Sequence, residues 1–352
     1  MTAGRDRRSS GRARPPVAWF AVFALAAAGA LAPLPAPLVE RWYSLAIYPP
    51  IQRTLTMASN LVPFAAFDVL WIGAIAVAAI FVRRQVAARG WRRGALRVAV
   101  GFARAAAVAY LAFLATWGLN YRRLPMFEKV VFDPSRITHA ANATLGEWAV
   151  AELNADYAAA HRAPMPIDRL RDALGETLRV MRAPRIVAGR PKPTLLGWYF
   201  HETAIAGMTD PFLLETMLAP DLLDVERPFV IAHEWAHLAG HADESEANFI
   251  AFLTCRRADP AGRYSAALAM IEYARPARRD WLNALALGPK TDLYAMQHRY
   301  ANTSVTLRLA AQQGYDKYLK ANRVEKGIES YDAVVQLILG TEYDAQGNPV
   351  LR

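Results

Sequence analysis

His233 and His237 stand four residues apart in the run Ala232-His233-Glu234-Trp235-Ala236-His237-Leu238-Ala239-Gly240, with Glu234 beside the first imidazole. On a helix, positions i and i+4 lie one above the other, so two imidazoles at this spacing can grip one metal ion. A hydrolytic zinc site also needs a base to take a proton from the attacking water. Glu234, set to the side of the imidazole pair, is placed for that task. Such a site has three protein ligands and one open position, so a third ligand is required. Asp243, Glu244 and Glu246 compete for it. Asp243 falls where H-E-x-x-H-x-x-G-x-x-H proteases carry their third ligand. Glu244 and Glu246 are separated by about 200° of helical rotation, so only one of them can face the metal. The face of Glu244 continues through Ala247, Asn248, Ala251 and Cys255, which are small or polar, whereas that of Glu246 continues through Phe249, Ile250 and Leu253. Glu244 is therefore favoured, with Glu246 second and Asp243 third. Asn248, one turn after Glu244, is placed to hold a ligating group by a hydrogen bond.

Several elements must position these groups. Pro228 suits the first turn of a helix, Phe229 to Leu238 is compatible with its body, and Gly240 can end it. A second helix opens near Glu244. Upstream, Arg190-Pro191-Lys192-Pro193 closes a helical region, and Thr194 to Met208 reads as one or two short strands, with 210–227 as loop. In zincins an edge strand before the metal helix pairs with extended substrate, and 194–208 is the candidate by analogy. His201, within it, reads as structural. His298, Arg299, Tyr300 and Tyr331 are candidates for stabilising an oxyanion, none of them assigned. Helical patterns cover about 138–161, 166–181, 261–275, 278–286, 291–312 and 331–339. There is no phosphate-binding glycine loop and no G-x-S-x-G.

The run E-x-x-A-N at Glu244 to Asn248 resembles the E-x-x-A-D pattern of glutamate-zincin membrane proteases, with Asn248 in place of the aspartate. More closely, His233 to Phe252, together with Trp117-Gly118-Leu119-Asn120-Tyr121-Arg122, Tyr315-Asp316-Lys317-Tyr318-Leu319-Lys320 and Ser330-Tyr331, resembles the bacterial family called domain of unknown function 3810. The resemblance implies a membrane-anchored, zincin-like hydrolase and brings no substrate with it.

Hydrophobic residues make up 54% of the 352-residue chain and charged residues 20%, a balance that leans toward a membrane protein. Residues 1–118 hold 14 Lys/Arg against three acids, leaving 27 against 28 for the remainder, so the excess positive charge belongs to the N-terminal third. It is a topology signal and not the basic face of a nucleic-acid-binding domain. After a polar, arginine-rich tail (1–14), transmembrane helices are expected at about 17–38, 61–82 and 98–119. The arginines from Arg83 to Arg97 mark a cytoplasmic loop by the positive-inside rule. Three crossings of an inner membrane then place the domain of residues 121–352 on the periplasmic or extracellular side, beyond an anchor formed by residues 1–120. Residues 39–60 read as an interfacial loop, and Asp68 and Arg104 as groups that snorkel to the nearer interface. The single cysteine, Cys255, rules out an intrachain disulfide and reads as a small core residue.

The expected class is α+β: a three-helix transmembrane anchor followed by a mostly helical zincin-like domain with a small sheet. The expected function is that of a zinc-dependent hydrolase, most simply a metalloendopeptidase acting on peptide or protein, with the lipid bilayer as a second partner and no nucleic acid. A non-peptide amide as substrate, and a non-enzymatic binding or regulatory membrane protein with a vestigial or structural metal site, are the alternatives.

Overall fold

The computed structural model describes residues 16–274, 281–323 and 333–352. It is mostly helical with one small sheet, as the α+β expectation holds. The arginine-rich tail and Tyr331 lie outside the described residues. Contacts divide the chain into two compact units, one of residues up to 33 and 75–115, the other of 34–74 and 116–352.

The first unit is built from apolar helices. Helix α1 (Pro16–Leu31) stops before Pro33 and Pro35, whose rings cannot continue it, so the expected span of 17–38 is cut short; a single turn, α2 (Ala36–Leu38), follows. Among the described residues one helix is long and apolar enough to cross a membrane, Ala66–Thr116, which carries both of the other expected spans. The arginine-rich segment read as a loop is itself helical. The chain reverses at Gly90 alone, whose φ of 70° suits a residue without a Cβ. Beyond the turn Gly94 lies against the backbone of Gln85 and Val86, and Gly101 against the ring of Phe81, so the two arms run antiparallel at close range. Arg104 stacks its guanidinium over Trp19 at 4.7 Å instead of snorkelling alone.

The second unit begins earlier in the chain than residue 120. Residues read as an interfacial loop form a wide helical turn, Val39–Ile47, and helix α3 (Tyr48–Asn60). Tyr48, Gln52, Thr56 and Ser59 recur at helical spacing, and this polar stripe is buried against the rest of the unit. Gln52 bonds Val187 O and N, and Thr56 donates to Leu214 O. Helix α4 (Ala66–Thr116) starts after Pro63, with the Glu215 carboxylate accepting from Ala66 N and Phe67 N at its positive end. The same carboxylate pairs with Lys192, and both side chains are fully buried. Asp68 is buried too, accepting from Thr194 Oγ1 at 2.8 Å and Leu195 N at 2.7 Å, and so does not snorkel.

After a short helix α5 (Met126–Lys129), α6 (His139–Ala160) and α7 (Ile167–Val180) follow their patterns closely. The sheet has the order β1-β3-β2, with β1 (Pro191–Lys192) parallel and β2 (Gly207–Thr209) antiparallel to the central β3 (Thr216–Leu218). Two expectations change here. Most of 194–208 is not strand: Gly197–Thr203 forms helix α8, ended by Ala204 at φ 57°, and only β2 is extended. Conversely, the stretch read as loop supplies β3, which the sequence conceals because it is three residues long.

Helices α9 (Arg227–Leu238), α10 (Glu244–Arg257) and α11 (Pro260–Tyr273) form the centre. From Glu244 to Cys255 every residue of α10 is buried, so the helix is enclosed on all sides until its last turn, where Arg256 reaches solvent. Small residues permit the close packing of α6 on α11, where Ala149 and Ala267 are both inaccessible. The single expected helix over 291–312 is two, α12 (Leu287–Ala301) and α13 (Val305–Ala321), because Ser304 caps a new start by accepting from Leu307 N. The unit closes with α14 (Ala333–Gly340).

Candidate metal centre

Helix α9 carries Pro228 in its first turn and ends at Leu238, with Gly240 at φ 82° just beyond, as the local signals require. Its last carbonyls have no partner inside the helix, and buried side chains from the N-terminal part of the unit fill the gap. Trp117 Nε1 donates to His237 O, Tyr48 OH to Leu238 O, and Arg123 Nη1 to Gly240 O at 2.8 Å and Ala239 O at 3.4 Å. Arg123 is itself held by Glu40 through two bonds of 2.8 Å. The end of the helix that bears His237 is thereby fixed from several directions.

His233 Nε2 and His237 Nε2 stand 3.1 Å apart, and Glu244 Oε2 lies 3.1 Å from the first and 3.5 Å from the second. These three atoms form the cluster able to hold a metal ion among the described residues. The other nitrogen of each ring is engaged: His237 Nδ1 faces His241 O at 2.7 Å and His233 Nδ1 faces Asn248 Oδ1 at 2.8 Å. Because both partners are acceptors, each Nδ1 carries a proton, and each Nε2 is the nitrogen turned toward the carboxylate. Glu244 Oε2 is buried and has no hydrogen-bond donor of its own. Two imidazole nitrogens converging on one carboxylate oxygen favour a positive charge among them, carried by a proton or a metal ion. The electrostatics agree: despite its burial Glu244 is held well below the usual carboxylate range, by His237 above all, and against the lowering effect of burial its charge raises His237 to about 9. Ligand atoms on a tetrahedral zinc with bonds near 2.0 Å are separated by about 3.3 Å, so the spacing fits. The second oxygen of Glu244 accepts from Tyr315 OH, which leaves Oε2 alone to face the cluster.

Glu234 sits beside this triad, 4% exposed. Burial pushes its carboxyl upward, against the opposing pull of His233 and His237. Thr209 Oγ1 of β2 donates to its Oε2 at 2.8 Å. A Cβ on Gly207 would stand only 2.7 Å from its Oε1, so the close approach of strand and carboxylate depends on glycine at that position. β2 is the edge of the sheet on this side.

The other candidates fall elsewhere. Asp243 caps α10, accepting from Ser245 N and Glu246 N, so the capping geometry and not a ligand role explains its place. Glu246 points away from the triad, taking Met126 N on Oε1 at 2.7 Å and His241 Nδ1 on Oε2 at 3.0 Å. His201 pairs with Asp221, His298 with Asn302, Arg299 with Glu226, and Tyr300 packs under Arg308, so none of them joins the cluster. Asn248 does hold a ligating group, but it holds His233 and not Glu244. Cys255 is an inaccessible core residue. The residues that sequence reasoning left without a role are Tyr315, Thr209 and Gly207. Tyr315 stands in a run quoted for the resemblance, and no local signal marks the other two.

Residues 43–339 match the family model described as "Protein of unknown function (DUF3810)". No curated protein and no solved structure matches the chain.

Proposed function

We infer that this chain, which belongs to the protein family of unknown function DUF3810, is a membrane-anchored zinc-dependent hydrolase whose favoured substrate is a peptide bond. The observation that carries this reading is the meeting of His233 Nε2, His237 Nε2 and the unpartnered Glu244 Oε2, with the carboxylate of Glu234 alongside and not among them. A zinc ion held by those three atoms would supply Lewis acidity, lowering the pKa of water and polarising the scissile carbonyl. The chain's own part is to place and move protons. Glu234 Oε2 is steadied by Thr209, so Oε1 is the oxygen left to accept the proton of the attacking water and return it to the leaving amine. The free edge of β2 can align an extended chain by backbone pairing next to that carboxylate. A binding protein with a structural metal has no use for a buried base and ordinarily fills the fourth position with protein.

The anchor reading is supported by the packing of the apolar helices. Gly29 meets Leu114, and Trp19 meets Arg104, so α1 runs in the same direction as the second arm of α4 and opposite to the first. Three crossings have this pattern. In this reading the arginines flanking Gly90 favour a cytoplasmic turn by the positive-inside rule, and residues 121–352 would then face the periplasm.

The test uses the full chain purified in detergent. Elemental analysis should find about one zinc per protein. Peptide-library cleavage should vanish with chelator, and Glu234→Gln should keep zinc while losing turnover by about 10²-fold to 10⁴-fold. Cleavage that persists in both the chelated protein and Glu234→Gln would overturn the reading.

A further inference from the structure

The segment between β1 and β2 presents an apolar surface that the metal centre does not use. Residues 193–200 contain no charged side chain. Phe200 is packed inward, but Leu195 is 76% and Trp198 67% exposed, with Leu196 and Tyr199 beside them. Four large apolar side chains in five residues of one short segment are costly to leave in water.

The position of this segment in depth is set by Asp68. Its carboxylate accepts from Thr194 Oγ1 and Leu195 N, and Asp68 stands in the first turn of α4, the helix long and apolar enough to cross a bilayer. Immediately before that helix, Leu61 and Phe64 are also exposed, at 84% and 51%. The entry of α4 and the 194–199 segment are therefore joined at Asp68, both carry exposed apolar side chains, and the segment includes a tryptophan, a residue that favours the headgroup level. We propose that Leu195, Leu196, Trp198 and Tyr199 form a second bilayer contact, inserted into the interface beside the start of α4. The occupant of this surface is lipid, because the hydrogen bonds to Asp68 hold the segment at the depth where the apolar helix begins. The proposal rests on the anchor reading for α4. Its consequence for the centre is direct: the chain runs from this contact through α8 and Ala204 into β2, so the edge beside Glu234 is tethered to the membrane surface.

The experiment places a fluorophore on a single introduced cysteine in the full chain, in nanodiscs, and compares quenching by nitroxide-labelled lipid with quenching by aqueous iodide. Native Cys255 is fully buried and does not compete for label. Leu195→Cys and Trp198→Cys are the test positions, Val77→Cys in α4 marks the bilayer, and Glu147→Cys on the exposed face of α6 marks water. Labels at 195 and 198 should lose emission several-fold to nitroxide lipid and little to iodide. If Val77 is quenched by lipid while both test positions behave like Glu147, the proposal fails and the anchor stands. Protection from both quenchers at 195 and 198 would overturn it in favour of a protein cover. If Val77 itself is quenched only by iodide, the anchor reading fails, and the proposal fails with it.

Discussion

Two histidine–glutamate groupings bridge the α9–α10 junction, and their chemistry diverges. In the first, His233 Nε2, His237 Nε2 and Glu244 Oε2 converge on one another, and no donor outside the group reaches Glu244 Oε2. In the second, His241 bonds Glu246, whose other oxygen takes Met126 N; Arg123, Lys129 and Glu40 surround them, so positive and negative charges are matched within the protein. The same residue types thus make a place for a cation in one case and a charge-matched scaffold in the other. The difference is where the atoms without a hydrogen bond face: Glu244 Oε2 is turned toward two imidazole nitrogens, whereas His241 Nε2 stands alone, and a ligand role is read from that convergence and not from residue type.

The largest effect should separate the two carboxylates. Glu244→Ala or His237→Ala should abolish bound zinc by elemental analysis, while Glu246→Ala should keep it. Glu246→Ala should nevertheless unfold at lower temperature, because His241 Nδ1 and Met126 N are left buried without an acceptor, at about 1–3 kcal/mol for each such group. Zinc lost from Glu246→Ala and retained in Glu244→Ala would erase the distinction.

Next in size is Arg123→Met, which strips the caps from Ala239 and Gly240 and leaves Glu40 with Lys129 as its remaining cation. Breaking a buried pair costs about 3–5 kcal/mol when the other charge is left uncompensated, and Lys129 keeps Glu40 paired here, so the unfolding temperature should fall below wild type by less than that full cost. An unfolding temperature equal to that of wild type would show that the pair and its caps add nothing. A smaller loss is expected at Asn248→Ala, which removes the acceptor on His233 Nδ1 and should weaken zinc binding about 10-fold to 100-fold without abolishing it. An unchanged affinity in competition with a zinc chelator would mean that the ring needs no such support.

The smallest effect is a slope with pH. Burial alone would raise the Glu40 carboxyl, but Arg123 and Lys129 overcome it and hold it at about 2, below its ordinary 4.5. Ionised Glu40 therefore contributes stability that is complete above pH 4.5 and is lost as pH falls from there toward 2. The melting-temperature gap between wild type and Glu40→Gln should narrow across that window. A gap that stays constant would remove the scaffold's charge matching from the account.

Much of the centre was legible in the sequence because it is local. The i,i+4 imidazoles, the proline at the start and the glycine at the end of α9 interact within a few residues, and local geometry alone places them. The choice of Glu244 over Glu246 was half legible: rotation around α10 shows that only one can face the metal, but the apolar face assigned to Glu246 proved to be part of a helix buried on every side. The errors were non-local. Residues 39–60 look like an interfacial loop until Tyr48 and Gln52 are seen to serve acceptors 190 and 135 residues away. Segment 194–208 has strand-forming residues, yet a three-residue strand pairs only where its neighbour is supplied by the tertiary fold.

By itself, then, the sequence determined a helix able to offer two imidazoles and a carboxylate, the apolar stretch with its arginine-marked turn, and the family to which the chain belongs. Only the tertiary structure decided which carboxylate completes the triangle, that Asn248 orients His233, that Tyr315 occupies the spare oxygen of Glu244 from 71 residues away, and that Trp117, Tyr48 and Arg123 close the end of α9. The physical reason is one of range. Helical periodicity acts over a turn or two, whereas the satisfaction of buried polar atoms depends on whichever distant side chain packing brings within hydrogen-bond reach.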